Sequence, residues 1–515
     1  MAVEGAVSDV VVVGGGHNAL VCAAYLAEAG LEVTVLEGRE ILGGNTMTEE
    51  LTLPGWLHDS CSSAHVVIQA NPLIKNDELG LKERYGLEYI ITDPAAVIPL
   101  GDGESISIHS DLQATADEFG RWSARDAGAL LAMMEEWRSG LSRAHAYYTS
   151  GLPLPDDEVS ARYDELRRGT AWDFVMGRFE HPIVRQAMLW MGFATLSSPL
   201  EPGSGVLPMA MMSGRIANGW TTPVGGSIAL PRALERHIVD HGGRVLTDSW
   251  VEKFIVEGGR CVGVRTADGR TFRARKAVAT SSHLAKLSEM LDVESPMAKD
   301  AAARWRPALS AFAVHFALRA EAVFHSHSGP VLSAAGGLGS AEGLVRQMQA
   351  AADGRLETES PWLLLMATTA VDPDRAPDGG GIFKMLTVGP ELLDGHVWSD
   401  ADGMAFAQRL LEICRPHVDG LEEDDILAMR VETPTSLAAH NLSNLGGSCH
   451  GGEFVMDDGT AVRGWPNYRA DVPGLYLTGS TSHPGGSVTG RPGRNTARVI
   501  LDDLGIGADA VMSTP

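Results

Sequence analysis

The order of apolar and polar residues opens on a short, wholly apolar run. Val10–Val13 stand between Asp9 and Gly14, and an unbroken run of this length predicts a buried parallel strand. Leu20–Ala29 follows as a helix that Gly30 ends, and Leu31–Leu36 reads as a second buried strand. From about residue 110 to 205 glycine is scarce until the end. Leu130, Leu131, Met133, Met134 and Trp137 recur there at helical spacing, as do Met188, Trp190 and Met191. Such a Met and Trp stripe predicts a helical core. Pro153, Pro155, Pro199 and Pro202 cut it into pieces.

The α/β pattern returns after Thr222-Pro223-Val224-Gly225-Gly226-Ser227, with a helix to about His241 and a strand Arg244–Thr247. Val251–Val256, Cys261–Thr266 and Thr271–Arg275 read as three antiparallel strands with turns at Gly258-Gly259 and Asp268-Gly269, and Lys276–Thr280 as another short buried strand. Further on, strands Ala311–Leu318, Trp362–Thr368 and Ile382–Val388 alternate with helices near Ala341–Ala352 and Asp402–Val418. The glycines at 336–341 and 379–381 predict loops. The expected class is α/β. One nucleotide-binding domain is built from separated segments, 1–100, 206–295 and 456–515, interrupted by a helical substrate or cap region over 101–205 and a substrate domain with an antiparallel sheet over 296–455.

Composition narrows the function. A chain of 515 residues allows two or three domains with large cores. A net charge of −25 argues against nucleic acid and anionic membranes as partners. No run reaches the length of a transmembrane helix, and the first apolar run is strand rather than signal peptide. Cys22, Cys61, Cys261, Cys414 and Cys449 are scattered without a Cys-x-x-Cys pair. That predicts a reducing, cytoplasmic setting, with neither a structural zinc nor a dithiol centre. No metal is expected: His325-Ser326-His327 has no carboxylate or cysteine partner at ligand spacing.

The candidate chemistry starts where the first strand ends. Gly14 turns the chain, Gly16 lets the backbone approach a pyrophosphate, and Ala19 takes the third glycine's place where helix meets strand. The following helix aims its N-terminal N–H groups at the phosphates. Glu37 falls at the end of the second strand, where a carboxylate grips a ribose hydroxyl and repels a 2′-phosphate. Gly43-Gly44 suggests backbone passing close to something flat or charged, with Arg39 along phosphate or adenine. A second such device lies near the C-terminus. The strand Pro473–Gly479, the bend through His483-Pro484-Gly485-Gly486-Ser487-Val488 and a helix to about Leu504 give another strand, glycine-rich bend and helix start. Pro492 suits its first turn, and positive charge there would stabilise a reduced flavin.

These motifs together resemble the phytoene-desaturase-like FAD oxidoreductases, the group that includes carotenoid desaturases, carotene ketolases and pyridine nucleotide-disulfide oxidoreductase-domain proteins. The residues that carry it are Gly14-Gly15-Gly16-His17-Asn18, Glu37-Gly38-Arg39, Gly43-Gly44, Pro223-Val-Gly225-Gly226, Gly242-Gly243-Arg244-Val245, and the C-terminal Gly474-Leu-Tyr-Leu, His483-Pro-Gly-Gly and Pro492-Gly-Arg-Asn. The resemblance implies a Rossmann-type FAD-binding domain of the glutathione-reductase or amine-oxidase kind, with an inserted α+β substrate domain. Gly14, Gly16, Asn18 and Ala19 would then face the pyrophosphate, Glu37 and Gly38 the adenosine ribose, Arg39 and Val251 the adenine. Gly43, Gly44 and Asn45 would sit beside the flavin's pyrophosphate and ring, and Gly479, Gly486, Ser487 and Val488 at the isoalloxazine end.

A flavin accepts a hydride, so the expected reaction is C–H or C–N oxidation. A desaturation also removes a proton, which a side-chain base and an oxyanion donor ease when a carbonyl adjoins. The candidate catalytic residues are His65, His450 and His483, with His440 a further possible base. Trp465 and Tyr468 are candidate cavity walls. The expected function is an FAD-dependent desaturase or oxidase acting on a mostly apolar substrate, an alicyclic ketone or terpenoid, with oxygen or a quinone as acceptor. The alternatives are a carotenoid desaturase, isomerase or ketolase, an amine oxidase, and a non-catalytic FAD-stabilised scaffold.

Overall fold

A computed structural model of the protein describes residues 4–377 and 379–514. Val10, Val11 and Val12 have no exposed surface. Their strand, Glu4–Val13, is the centre of the nucleotide-binding sheet, parallel to Val33–Leu36 on one side and to Thr271–Thr280 on the other. The sheet order is Val251–Glu257, Arg260–Thr266, Thr271–Thr280, Glu4–Val13, Val33–Leu36, Arg244–Leu246. Thr271–Thr280 is one strand where the sequence suggested two. Its outer edge changes partner midway. Arg273 faces Gly263 antiparallel, whereas Val278 faces Leu475 of the parallel strand Leu475–Leu477. No turn residue separates Arg275 from Lys276, so the backbone runs straight through the exchange.

The helix His17–Glu28 is buried from Asn18 to Ala27. It lies under the helices Ala229–Asp240 and Arg491–Asp503. Gly493 makes the second of these contacts possible, because a Cβ there would stand 2.1 Å from the Asn18 carbonyl oxygen. The C-terminal helix is bolted in place by the buried ion pair of Arg494 with Glu78, at 2.8 Å. Arg494 therefore faces a carboxylate inside the domain rather than a bound anion.

The second sheet runs Ile426–Glu432, Ala311–Leu318, Gly381–Val388, Leu363–Ala367, Ala335–Leu338, Ala96–Gly101, Glu104–Ile108. Its residues alternate between two cores with the period of two that a strand imposes. Leu364, Met366 and Ala335 face the cap helices, whereas Leu363, Leu365 and Val314 face the helix Asp400–Cys414. The hairpin of Ala96–Gly101 and Glu104–Ile108 belongs to this sheet, so the segment end expected at residue 100 falls inside it. Gly336 and Gly337 are strand rather than loop. A Cβ at either would enter the ring of Phe324 or Trp190, so these glycines make room for aromatic packing.

The cap region holds the helices Leu112–Gly120, Ala124–Glu136, Ser142–Thr149, Glu158–Arg168, Ala171–Arg178 and Pro182–Phe193. Asp111, Ser123, Asp157 and Thr170 each cap a helix N-terminus with a side-chain oxygen. Met209 and Met212 of the next helix, Leu207–Asn218, share the same core, so the helical region continues past residue 205. Among the described residues no helix is long and apolar enough to cross a membrane.

Candidate active site

One cavity of about 1020 Å³ opens where the C-terminal ends of the parallel strands meet the second sheet and the cap helices. That is at the top of the range of roughly 300–1,000 Å³ for small-molecule sites, room for a dinucleotide with a substrate beside it. The first glycine-rich turn contributes Gly14, Gly16, Asn18 and Ala19 to its wall, and the next strand end Glu37, Gly38 and Arg39. Gly43, Gly44, Asn45 and Val251 line it too, as do Gly479, Gly486, Ser487 and Val488 at the far end of the chain.

The local structure explains why these residues stand here. Gly14 has φ +97°, and a Cβ on it would lie 2.1 Å from Ser281 Oγ. Gly16 and Gly44 pass so closely that a Cβ on Gly44 would come within 3.2 Å of the Gly16 Cα. The helix His17–Glu28 has no side-chain cap and no acid in its first turn, so its N-terminal N–H groups are free for an anion. The buried Asn18 Oδ1 and His17 Nε2 also have no partner. Glu37 accepts hydrogen bonds from the Gly15 amide at 2.6 Å and the Arg39 amide at 2.8 Å, which fix its carboxylate at the strand end. A dinucleotide's phosphates fit this cradle of backbone donors and absent Cβ atoms.

Asn45 is the centre of an asparagine network. Its Nδ2 donates to Asn444 Oδ1 at 2.6 Å and to the Cys449 carbonyl at 2.9 Å, and its Oδ1 accepts from Asn441 at 2.8 Å. The network ties the first glycine-rich segment to the stretch that carries Cys449 and His450. Across the cavity, the loop Asp59-Ser60-Cys61 is pinned from below. The buried Lys384 ammonium donates to the carbonyls of Asp59, Ser60 and Cys61 at 3.0, 3.1 and 2.8 Å. Burial lowers the Lys384 pKa. The buried pair Arg375–Asp59, at 3.1 Å, holds the same loop.

These two anchors bring Cys61 and Cys449 together in the cavity wall, close enough for each thiol to perturb the other. The sequence offered no such pair, because the cysteines meet only through the tertiary fold. The neighbouring Cys61 thiol lowers the Cys449 pKa against its burial, and the Lys384 charge adds to that effect. Cys61 is pushed up by the same contact and by burial.

The remaining wall is apolar. Leu196, Met211, Trp220, Ala313, Leu364 and Met366 form its core, contributed by the turn after the helix Pro182–Phe193, the helix Leu207–Asn218, the short strand Trp220–Pro223 and the second sheet. One charged group stands among them. Arg215 is 3% exposed, its Nε and Nη1 have no hydrogen-bond partner, and its guanidinium lies 4.7 Å from the centroid of the Trp220 ring. Burial pushes its pKa down to about 10.

Of the three histidines proposed as catalytic, the structure brings only His450 to the cavity. Burial pushes its pKa down to about 3, so it stands neutral, with Nδ1 unpartnered. His65 is behind the wall, its Nε2 3.2 Å from Ser227 Oγ. His483 sits edge-on to Tyr148, with Nε2 2.7 Å from the Tyr148 carbonyl, and joins the cap to the C-terminal motif. Both are structural contacts, because a place beside a motif in sequence does not fix the side on which a ring leaves the chain. His440 does line the cavity, 3.5 Å from Arg39 Nη1. Trp465 and Tyr468 do not: Trp465 packs on Phe454, and the Tyr468 hydroxyl donates to the His483 carbonyl. Sequence reasoning missed Arg215, Lys384 and the thiol pair. An arginine as the lone charge of the helix Leu207–Asn218 was the one available signal.

A glycine cradle at strand ends, joined to an apolar chamber under a separate sheet, defines a dinucleotide-dependent oxidoreductase of the two-domain flavoprotein class. The sequence profile described as flavin containing amine oxidoreductase matches residues 20–501, and the chain belongs to that family. It is similar to pyridine nucleotide-disulfide oxidoreductase domain-containing protein 2 of Mus musculus, 26% identical over 96% of this chain and 94% of that one. It is also similar to a limonene dehydrogenase polypeptide of Castellaniella defragrans, 27% identical over 97% of this chain and 95% of that one. Among solved structures, an oxidoreductase from Methanosarcina mazei shares the fold, with a TM-score of 0.60 and 16% identity over 96% of this chain and 99% of that one. The protein is an FAD-dependent oxidoreductase.

Proposed function

We propose that the protein is an FAD-dependent dehydrogenase that desaturates a compact, mostly apolar substrate bearing one oxygen, an alicyclic ketone or oxygenated terpenoid. The unpaired Arg215 guanidinium in an otherwise apolar wall carries this reading. A buried charge without a partner is costly, and a substrate oxygen would supply the missing acceptor. The likeness to the limonene dehydrogenase polypeptide supports a small terpenoid skeleton. Among the described residues the aromatic side chains of the wall are Trp220 and Trp250, and Trp220 is already covered by Arg215. They offer no pair of rings to flank an amine.

When bound, FAD supplies the hydride acceptor. The cradle residues Gly14, Gly16, Asn18 and Ala19 hold its pyrophosphate, Glu37 and Gly38 its ribose, Arg39 and Val251 its adenine side. Gly43, Gly44, Asn45, Gly479, Gly486, Ser487 and Val488 hold the flavin end. Arg215 donates to the substrate oxygen and so acidifies the neighbouring C–H. The Cys449 thiolate accepts that proton, and the apolar walls orient the ring and exclude water. We place the protein in the cytoplasm, with oxygen or a quinone as acceptor. The scatter of its five cysteines, with no Cys-x-x-Cys motif, supports a reducing compartment.

The test is anaerobic mixing of the FAD-loaded protein with saturated cyclic ketones, monoterpene hydrocarbons, amines and carotenoid precursors, followed at the flavin band near about 450 nm. Bleaching by a cyclic ketone, slowed in Arg215→Leu, is the expected result. Bleaching by a hydrocarbon at a rate indifferent to Arg215 would replace the ketone. Bleaching by amines alone would overturn the reading.

A further inference from the structure

A second cluster lies at the other end of the first helix from the cavity. His237 and His241 are four apart at the end of the helix Ala229–Asp240, which puts both imidazoles on one face. Their rings stack with centroids 4.1 Å apart. Glu28, the last residue of the helix His17–Glu28, reaches both, with Oε2 3.3 Å from His237 Nε2 and 3.1 Å from His241 Nε2.

The hydrogen bonding around these three groups is incomplete. The His237 side chain has no exposed surface, and neither ring nitrogen makes a hydrogen bond of acceptable geometry. Buried imidazoles are normally satisfied. His241 Nδ1 is 2.8 Å from the His237 carbonyl, which requires a proton on Nδ1 and leaves the Nε2 lone pair directed at the cluster. The centre of the cluster is therefore lined by the Glu28 carboxylate and the Nε2 atoms of both histidines.

We propose that Glu28, His237 and His241 bind a divalent first-row metal ion, zinc being the one their donor set suits, with the fourth position open to water. The ligand atoms lie within 4.8 Å of one another. Zinc bonds of 2.0–2.1 Å in a tetrahedron set ligand atoms about 3.3 Å apart, close to the two distances to Glu28. The His241 contact to a backbone carbonyl is the outer support that metal-ligating histidines carry. Glu28 and His241 are partly exposed, which gives the ion a path in. The scattered cysteines argued against zinc, but this site uses none. The ion would clamp the ends of two helices of the FAD domain, one of which turns its N-terminus to the cofactor. The proposal is independent of the substrate.

The test uses the tag-free, FAD-loaded protein, stripped with a chelator and titrated with Zn²⁺ or Co²⁺. One equivalent should bind, cobalt should give the visible bands of a tetrahedral site, and Tm should rise. Glu28→Gln and His241→Asn, both at partly exposed positions, should keep the fold and flavin content while weakening zinc at least ~10-fold. Absence of stoichiometric binding to the wild-type protein, or equal binding by both variants, would overturn the site.

Discussion

The two ends of the cavity are built differently. The end that would hold the cofactor is made of backbone: glycines that turn or approach, a helix start without a cap, and one carboxylate held by two amides. The end that would take the substrate is made of side chains from distant segments, and the polar groups we single out there, Arg215 and the Cys61–Cys449 pair, are placed by tertiary contacts. A backbone device needs a local run of residues and recurs across flavoproteins. A side-chain chamber can be relined without changing the fold, and that is where specificity belongs.

The largest effect should come from breaking the cofactor end. Gly14→Val forces a side chain into Ser281 at a φ of +97°, and the purified variant should carry almost no flavin, as its absorbance will report. The substrate end should respond without loss of flavin. Arg215→Leu should lower kcat/KM for an oxygenated substrate by ~10²–10³. It should also raise stability by about 1–3 kcal/mol, because it removes an unpaired buried charge. Activity and denaturant midpoint moving in opposite directions would mark a residue kept for function. Cys449→Ser retains size but does not ionise, and should slow flavin reduction by ~10² or more. In the wild-type protein that step should accelerate as pH rises through a value below the usual thiol pKa, since the thiolate is the active form and its pKa is lowered.

Two smaller effects probe what holds the ends together. Lys384→Met leaves three buried carbonyls without their donor and should cost about 3 kcal/mol, measured by urea unfolding. His65 titrates near about 3 in the folded chain against 6.5 in the unfolded one. The unfolded state therefore takes up its proton first, and the stability that His65 contributes, present above pH 6.5, is lost as pH falls toward 3. His65→Gln should flatten that acid slope by about 1 kcal/mol per pH unit.

The same contrast decides what the sequence revealed. Gly14, Gly16, Glu37 and Gly486 could be singled out because each lies within a strand-turn-helix unit that a local pattern encodes, and the fold brings all four to the cavity wall. Gly336 and Gly337 were misread as loop because a glycine that admits Trp190 or Phe324 looks like one that admits a turn. His65 and His483 were misplaced because ring direction depends on Ser227 and Tyr148, which lie far away in the chain. The pairing of Cys61 with Cys449 depends on Lys384 and Asn45, which no spacing rule connects. His237 and His241 did carry the four-residue spacing of a ligand pair, but Glu28 joins them only through the packing of two helices.

The most direct measurement is a crystal structure of the FAD complex with a saturated cyclic ketone bound. Adenosine should lie at Glu37, the flavin ring beside Ser487 and Val488, and the ketone oxygen within hydrogen-bond distance of Arg215. A flavin whose ring lies against Glu37, or an Arg215 bonded to the flavin with the ketone oxygen elsewhere, would contradict this arrangement.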